Sequence, residues 1–167
     1  MAISTYPAPS LQRAVFLTSS TWTVPSGVET IWAFLVGGGA GTPAASLPGI
    51  GGRVVQEDTV FVVPGSILNI SIGAGGTLTP TKGGDTSISG TGVSLTANGG
   101  ILPSLQYTFS MDPYIVYGSS GNPGRSYGFG SGGVSYPYGG AGLPNTGAAG
   151  VADSAGSSGY AEIRWLP

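Results

Sequence analysis

Glycine and proline interrupt this chain so often that almost no window is left in which a helix could form. Thirty-two glycines and thirteen prolines are spread over 167 residues, and each costs a helix interior about 1 to 3 kcal/mol relative to alanine. No stretch offers a capped apolar stripe at helical spacing. Between the interruptions the period is two. RAVFLT (13–18), TWTV (21–24), ETIWAFLV (29–36), GRVVQEDTVFVV (52–63) and SILNISI (66–72) are rich in β-branched and aromatic residues and stop at Pro or Gly, which is how strands are punctuated. Shorter strands are predicted at Asp85 to Ile88 and Val93 to Ala97. The last, YAEIRW (160–165), sets Ala161, Ile163 and Trp165 on one face and Glu162 and Arg164 on the other. Pro25-Ser26-Gly27 and Pro64-Gly65 read as tight turns between consecutive strands.

The expected fold is therefore all-β: a single antiparallel β-sandwich, jelly-roll-like, with long glycine-rich loops and little or no helix. Residues 1–10 read as an extended arm and 11–167 as one domain. The clean pattern at 160–165 returns after a long glycine-rich excursion, so the final strand is expected to pair with early strands, leaving 98–158 as an insertion between two sheet elements.

Composition removes several classes of function. Histidine and cysteine are both absent, which excludes disulfides, thiolate chemistry, imidazole catalysis and the usual zinc sites. Five basic and seven acidic residues, with no basic cluster, speak against nucleic acid and anionic membranes as partners. MAISTYPAPSLQR has neither a basic nor an apolar signal-peptide region, and the run Ile31 to Val36 is too short to cross a bilayer. Assembly in a cytoplasm, with no membrane insertion, is expected. Charged residues are only 7% of the chain, well below the usual share of a solvent-exposed surface. A neutral surface of this kind is solvated by amides and hydroxyls or covered by neighbouring subunits.

Gly39-Ala40-Gly41-Thr42-Pro43-Ala44 fits a dinucleotide-binding pattern on paper. That pattern works only where a helix N-terminus aims its amides at a pyrophosphate, and Pro43 and Pro48 deny it that helix. No cofactor is expected. Among the seven carboxylates, Glu29 and Glu162 read as solvent-facing strand residues, Asp85 as a turn residue, and Glu57 with Asp58 as a loop or bulge. No pair stands out for glycoside hydrolysis, Asp112 and Asp153 are not read as a calcium site, and serine has only Lys82 as an activator. No catalytic residue and no metal ligand is assigned.

The segment GSSGNPGRSYGFGSGGVSYPYGG (118–140) mixes spacer residues with aromatic rings. A tether gains nothing from tyrosine, whereas a recognition loop gains a large apolar face, a polar tip and few rotatable bonds. Its few apolar side chains do not offset the cost of ordering so many glycines. Two outcomes remain, a mobile segment or one held by close main-chain packing, with or without help from other subunits, and the rings favour the second. Tyr127, Phe129, Tyr136, Tyr138 and Arg125 form the candidate recognition surface; rings that merely plug a weak loop core are the competing reading.

TWTVPSGVETIWAFLVGGGAG, then GGRVVQEDTVFVVPGSILNISIGAGG, then GGDTSISG and VSLTANGG, and finally GYAEIRWLP, resemble in order the glycine-rich domain of bacteriophage tail fibre and tail-tip proteins. The resemblance runs over roughly residues 15 to 165. It implies a non-enzymatic virion structural protein, oligomeric and most simply a homotrimer. Its partners would be other virion proteins and a bacterial surface receptor, either a glycan or an outer-membrane protein. Two departures stand out: TPAASLPGI breaks the first glycine run, and ILPSLQYTFSMDPYIVY (101–117) intrudes as an apolar segment. Tyr6, Leu102, Leu105, Phe109, Tyr114, Ile115 and Val116 are accordingly read as an assembly surface. The alternatives are a capsid decoration or cementing protein and, more remotely, a polysaccharide-cleaving tail enzyme.

Overall fold

The computed structural model describes residues 10–41, 51–77, 81–101, 147 and 155–167. Among them are eight strands and no helix: β1 (Gln12–Phe16), β2 (Ser20–Thr23), β3 (Thr30–Val36), β4 (Val54–Phe61), β5 (Ile67–Ser71), β6 (Thr86–Gly90), β7 (Val93–Ala97) and β8 (Tyr160–Trp165). They form two antiparallel four-stranded sheets, β1-β8-β3-β4 and β2-β5-β6-β7. The last strand enters the first sheet between β1 and β3, pairing Ala14 and Ala33 with Ile163 from either side, so the two ends of the chain's strand order close the sheet together.

Both sheets contribute to one core. Ile31, Leu35 and Ile163 of the first sheet and Leu68, Ile70 and Ile88 of the second belong to the same buried cluster, with Val24 and Val28 from the β2–β3 connection. β-branched and leucine side chains at every second position supply this face, as the alternation of a half-buried strand demands. Trp22 of β2 and Trp165 of β8 add a tilted ring pair, centroids 5.1 Å apart, that joins the two sheets.

The connections segregate by end. Pro25-Ser26-Gly27-Val28 closes with Val28 N–H on Pro25 C=O, and Val63-Pro64-Gly65-Ser66 with Ser66 N–H on Val63 C=O; Gly27 and Gly65 take positive φ (84° and 79°) at the third position of each turn, which a type II turn requires. These turns, the β6–β7 turn at Gly92, the start of β1 and the finish of β8 lie at one end of the sheets, since Gln12 pairs with Trp165 and Thr23 with Ile67. At the other end β3, β5 and β7 finish and β4, β6 and β8 begin, and every one of those six strand ends runs into glycine-rich chain.

Leu35 is fully buried near the end of β3. Leu35→Ala is expected to lower unfolding free energy in urea by about 2 to 5 kcal/mol, while Glu29→Ala, exposed just before β3, changes it by less than about 0.5 kcal/mol.

Candidate functional site

The glycine-rich end is built around one segment. Gly37, Gly38, Gly39, Ala40 and Gly41 continue β3 and are buried along their whole length. A buried stretch with no side chain beyond a methyl must satisfy its amides from other main chains. It does so with five separate segments: Gly37 N–H donates to Arg53 C=O, Gly38 N–H to Gly84 C=O, Gly39 N–H to Ser157 C=O and Gly41 N–H to Thr81 C=O, while Gly38 C=O accepts from Gly100 N–H and Gly39 C=O from Gly76 N–H, at 2.7 to 3.2 Å. The surrounding segments bond to one another as well, through Gly84 to Ala74, Gly83 to Gly100, Gly156 to Gly76, Gly159 to Gly73 and Gly52 to Gly147.

Residues three apart on the central segment return to the same neighbour. Gly38 and Gly41 both donate to 81–84, and an added Cβ on either would meet 73–77, at Ala74 O (2.2 Å) and Thr77 O (2.0 Å). A return every third residue is the period of polyproline II, which makes no hydrogen bonds within itself and so directs every amide sideways. Glycine is needed here for its missing Cβ: Gly37, Gly38, Gly41, Gly52, Gly73, Gly75, Gly76, Gly83, Gly99 and Gly156 would each place a Cβ within 2.2 Å of a main-chain carbonyl oxygen, and none of them has positive φ.

Two acids brace the structure. Asp85 accepts Gly99 N–H at 2.8 Å and the Lys82 ammonium at 2.9 Å, tying the strand leading into β6 to the strand end after β7. The Gly99 amide, then Lys82, hold its carboxyl below the usual range against a smaller opposing effect of burial. Glu162, expected in solvent, is instead 5% exposed. It faces away from the shared core, but Arg13 donates to it at 2.8 Å, and Tyr160 Oη and Arg164 Nε donate as well. Burial pushes its carboxyl up, and the hydrogen bonds from Tyr160, Arg164 and Arg13 outweigh that and hold it below the ordinary range. Tyr160 moves the other way, raised by burial and by the Glu162 carboxylate. Arg13 and Arg164 are direct cross-strand partners on the adjacent strands β1 and β8, a pairing between distant parts of the sequence that no local pattern announces.

Glu57 and Asp58 do sit at an irregularity: Ile31 pairs with Val60 and Ala33 with Glu57, so Trp32 alone opposes Asp58 and Thr59. Gly39, Ala40 and Gly41 of the dinucleotide-like pattern lie in the glycine bundle. Among the described residues no group of three or more Asp, Glu, His or Cys is placed to hold a metal ion. Tyr127, Phe129, Tyr136, Tyr138 and Arg125, and likewise Tyr6, Leu102, Leu105, Phe109, Tyr114, Ile115 and Val116, lie outside the described residues. The chain between Gly100 and Gly147, which carries all of these but Tyr6, is anchored at both limits on the bundle, Gly100 through Gly38 and Gly147 through Ser158 and Gly52.

A family model described as a glycine-rich domain matches residues 15–165. The chain belongs to that family. The match begins in β1 and finishes in β8, so both sheets and the whole glycine bundle of this glycine-rich domain fall within it. No curated protein matches the chain.

Gly38→Ala is expected to cost about 3 kcal/mol or more, because neither Ala74 O nor the chain that carries it can withdraw from a well-packed bundle. Gly27→Asn, with nothing within 4 Å of its Cβ position, costs under about 1 kcal/mol, since asparagine tolerates the left-handed region; urea titration of both variants checks the contrast.

Both Asp85 and Glu162 have folded-state values below their unfolded ones. Their contribution is therefore complete above the unfolded carboxylate range and is lost as pH falls through the lower folded values. Melting temperature is expected to drop on acidification below about pH 4, and Glu162→Gln, already less stable at neutral pH, shows a shallower drop.

Proposed function

We propose that this glycine-rich domain is a non-enzymatic structural protein of a bacteriophage particle, of tail-fibre or tail-tip type. It forms a homotrimer, is mounted on other virion proteins, and presents the segment bearing Tyr127, Phe129, Tyr136 and Tyr138 to the host surface. In this reading the two sheets form a jelly-roll-like sandwich. The observation that carries it is polarity. The connection from Gly100 to Gly147 starts and finishes on the glycine bundle, while the strand leading back to residues 1–9 begins at the opposite end, where Gln12 meets Trp165. One end suits attachment and the other presentation.

The exposed apolar side chains support the same division. Leu166, Val63 and Ile67 are about half exposed and Phe61 is 75% exposed, and these four lie at or near the end away from the bundle, where a mounting surface would bury them, against Leu17 at the other end. A non-enzymatic role is favoured by the state of Glu162. Three donors engage its carboxylate, and a carboxyl held ionised is a poor general acid.

Immunogold labelling of intact phage particles with antibody against this chain tests the proposal. Label at the tail is the expected result. Label distributed over the head would replace it with the decoration reading, and particles without label would overturn both.

A further inference from the structure

The outer face of the first sheet carries a concavity of about 480 Å³, a volume within the range of small-molecule sites. Leu11, Trp32, Phe34, Gln56, Asp58 and Arg164 line it. Trp32 is 37% exposed, an unusual position for the largest apolar side chain on a strand whose alternate residues, Ile31, Ala33 and Leu35, are buried. Where Trp32 opposes two residues of β4, the edge strand is re-aimed, as bulges do beside binding sites. Gln56 and Asp58 both line the same concavity, and Gln56 Nε2 donates to Asp58 Oδ1 at 3.1 Å.

The lining is therefore in two parts. One is apolar and aromatic: Trp32, Phe34 and Leu11. The other is a set of planar hydrogen-bonding groups: the Gln56 amide, the Asp58 carboxylate and the Arg164 guanidinium, the last held by its Nε on the buried carboxylate of Glu162. A pyranose ring has the matching halves. Its axial C–H groups make an apolar face that stacks on an indole, and its equatorial hydroxyls donate to carboxylate and accept from amide and guanidinium N–H. Charge narrows the class. Glu162 is matched by Arg13 and Arg164, and Glu57 and Asp58 on the same lining leave the concavity net negative, so an acidic sugar meets net repulsion.

We propose that this face binds a neutral hexopyranose, with Trp32 as the stacking platform, Gln56, Asp58 and Arg164 as hydroxyl partners, and Glu162 as the positioning residue that fixes Arg164. The site is separate from the glycine-rich end and does not depend on the virion reading.

Saturation-transfer NMR and tryptophan emission, with the full chain, test it using the methyl glycosides of glucose, galactose and mannose, N-acetylglucosamine, and glucuronic acid as the charged comparison. At least one neutral sugar is expected to bind with Kd near 1 mM, as suits a shallow site and a ligand of this size. Trp32→Ala abolishes binding, and Gln56→Ala, on an exposed edge strand where folding is not at risk, weakens it about tenfold. Absence of binding by every neutral sugar up to about 50 mM, binding of glucuronic acid alone, or unchanged affinity in Gln56→Ala and in a folded Trp32→Ala would overturn the proposal. Because the readout is sugar binding by the isolated chain, its failure leaves the particle-labelling result untouched, and the reverse also holds.

Discussion

The buried amides of Gly37 to Gly41 must all find partners, and the organisation of one whole end of the molecule follows from that requirement. A segment in the middle of a sheet finds its partners on two neighbours. This one leaves the sheet, stays buried, and bonds to five segments around it. Such a packing is possible only if the backbones approach within the space a Cβ would occupy, which is why glycine recurs on both sides of nearly every contact. The apolar core between the sheets and this polar, side-chain-free core are continuous through β3, whose Leu35 belongs to one and whose following Gly37 belongs to the other. The two cores obey opposite rules. One excludes polar groups, and the other consists of little else.

Side chains reappear at the margins of the bundle as braces. Thr86 Oγ1 accepts the Gly73 amide at 3.0 Å, and Asp85 takes that of Gly99. Ionised acceptors for backbone N–H are among the stronger hydrogen bonds available to a protein, and their use here compensates for chain that has no apolar area to bury. Glu162 braces the opposite surface of the first sheet in the same way, linking β1 and β8 through Arg13 and tethering Arg164. With so few charges in the whole chain, most of those described sit in pairs.

Much of the sheet architecture was legible from residues 13–97 and 160–165, because alternation of buried and exposed positions is a local signal. Ala161, Ile163 and Trp165 could be assigned to the inner face without knowing their neighbours. The turns at Gly27 and Gly65 were equally plain, since proline and glycine there declare their φ values. Two things were not legible. Glu162 alternates like a solvent-facing residue, and only the arrival of Arg13 from a strand some 150 positions away makes its burial tolerable, a non-local fact. Main-chain packing was expected of the segment 118–140, which lies outside the described residues, and not of the runs at 37–41, 73–76, 83–84 and 99–100; a glycine has no side chain with which to specify its partner, so the assignment of Gly38 to Gly84 and Gly39 to Ser157 could not be read from them. The candidate recognition and assembly residues between 102 and 138, and Tyr6, fall outside the described residues, so the geometry bears only on where that segment is anchored.

A bundle held almost wholly by its own amides and carbonyls makes little demand on the chemistry of whatever is strung between its anchor points. The contacts of Gly41, Gly76, Gly100 and Gly147 are made by main chain, so they hold the limits of the intervening segments without calling on any side chain there. The side chains strung between those anchors are thereby left free of any part in holding the eight strands together at this end.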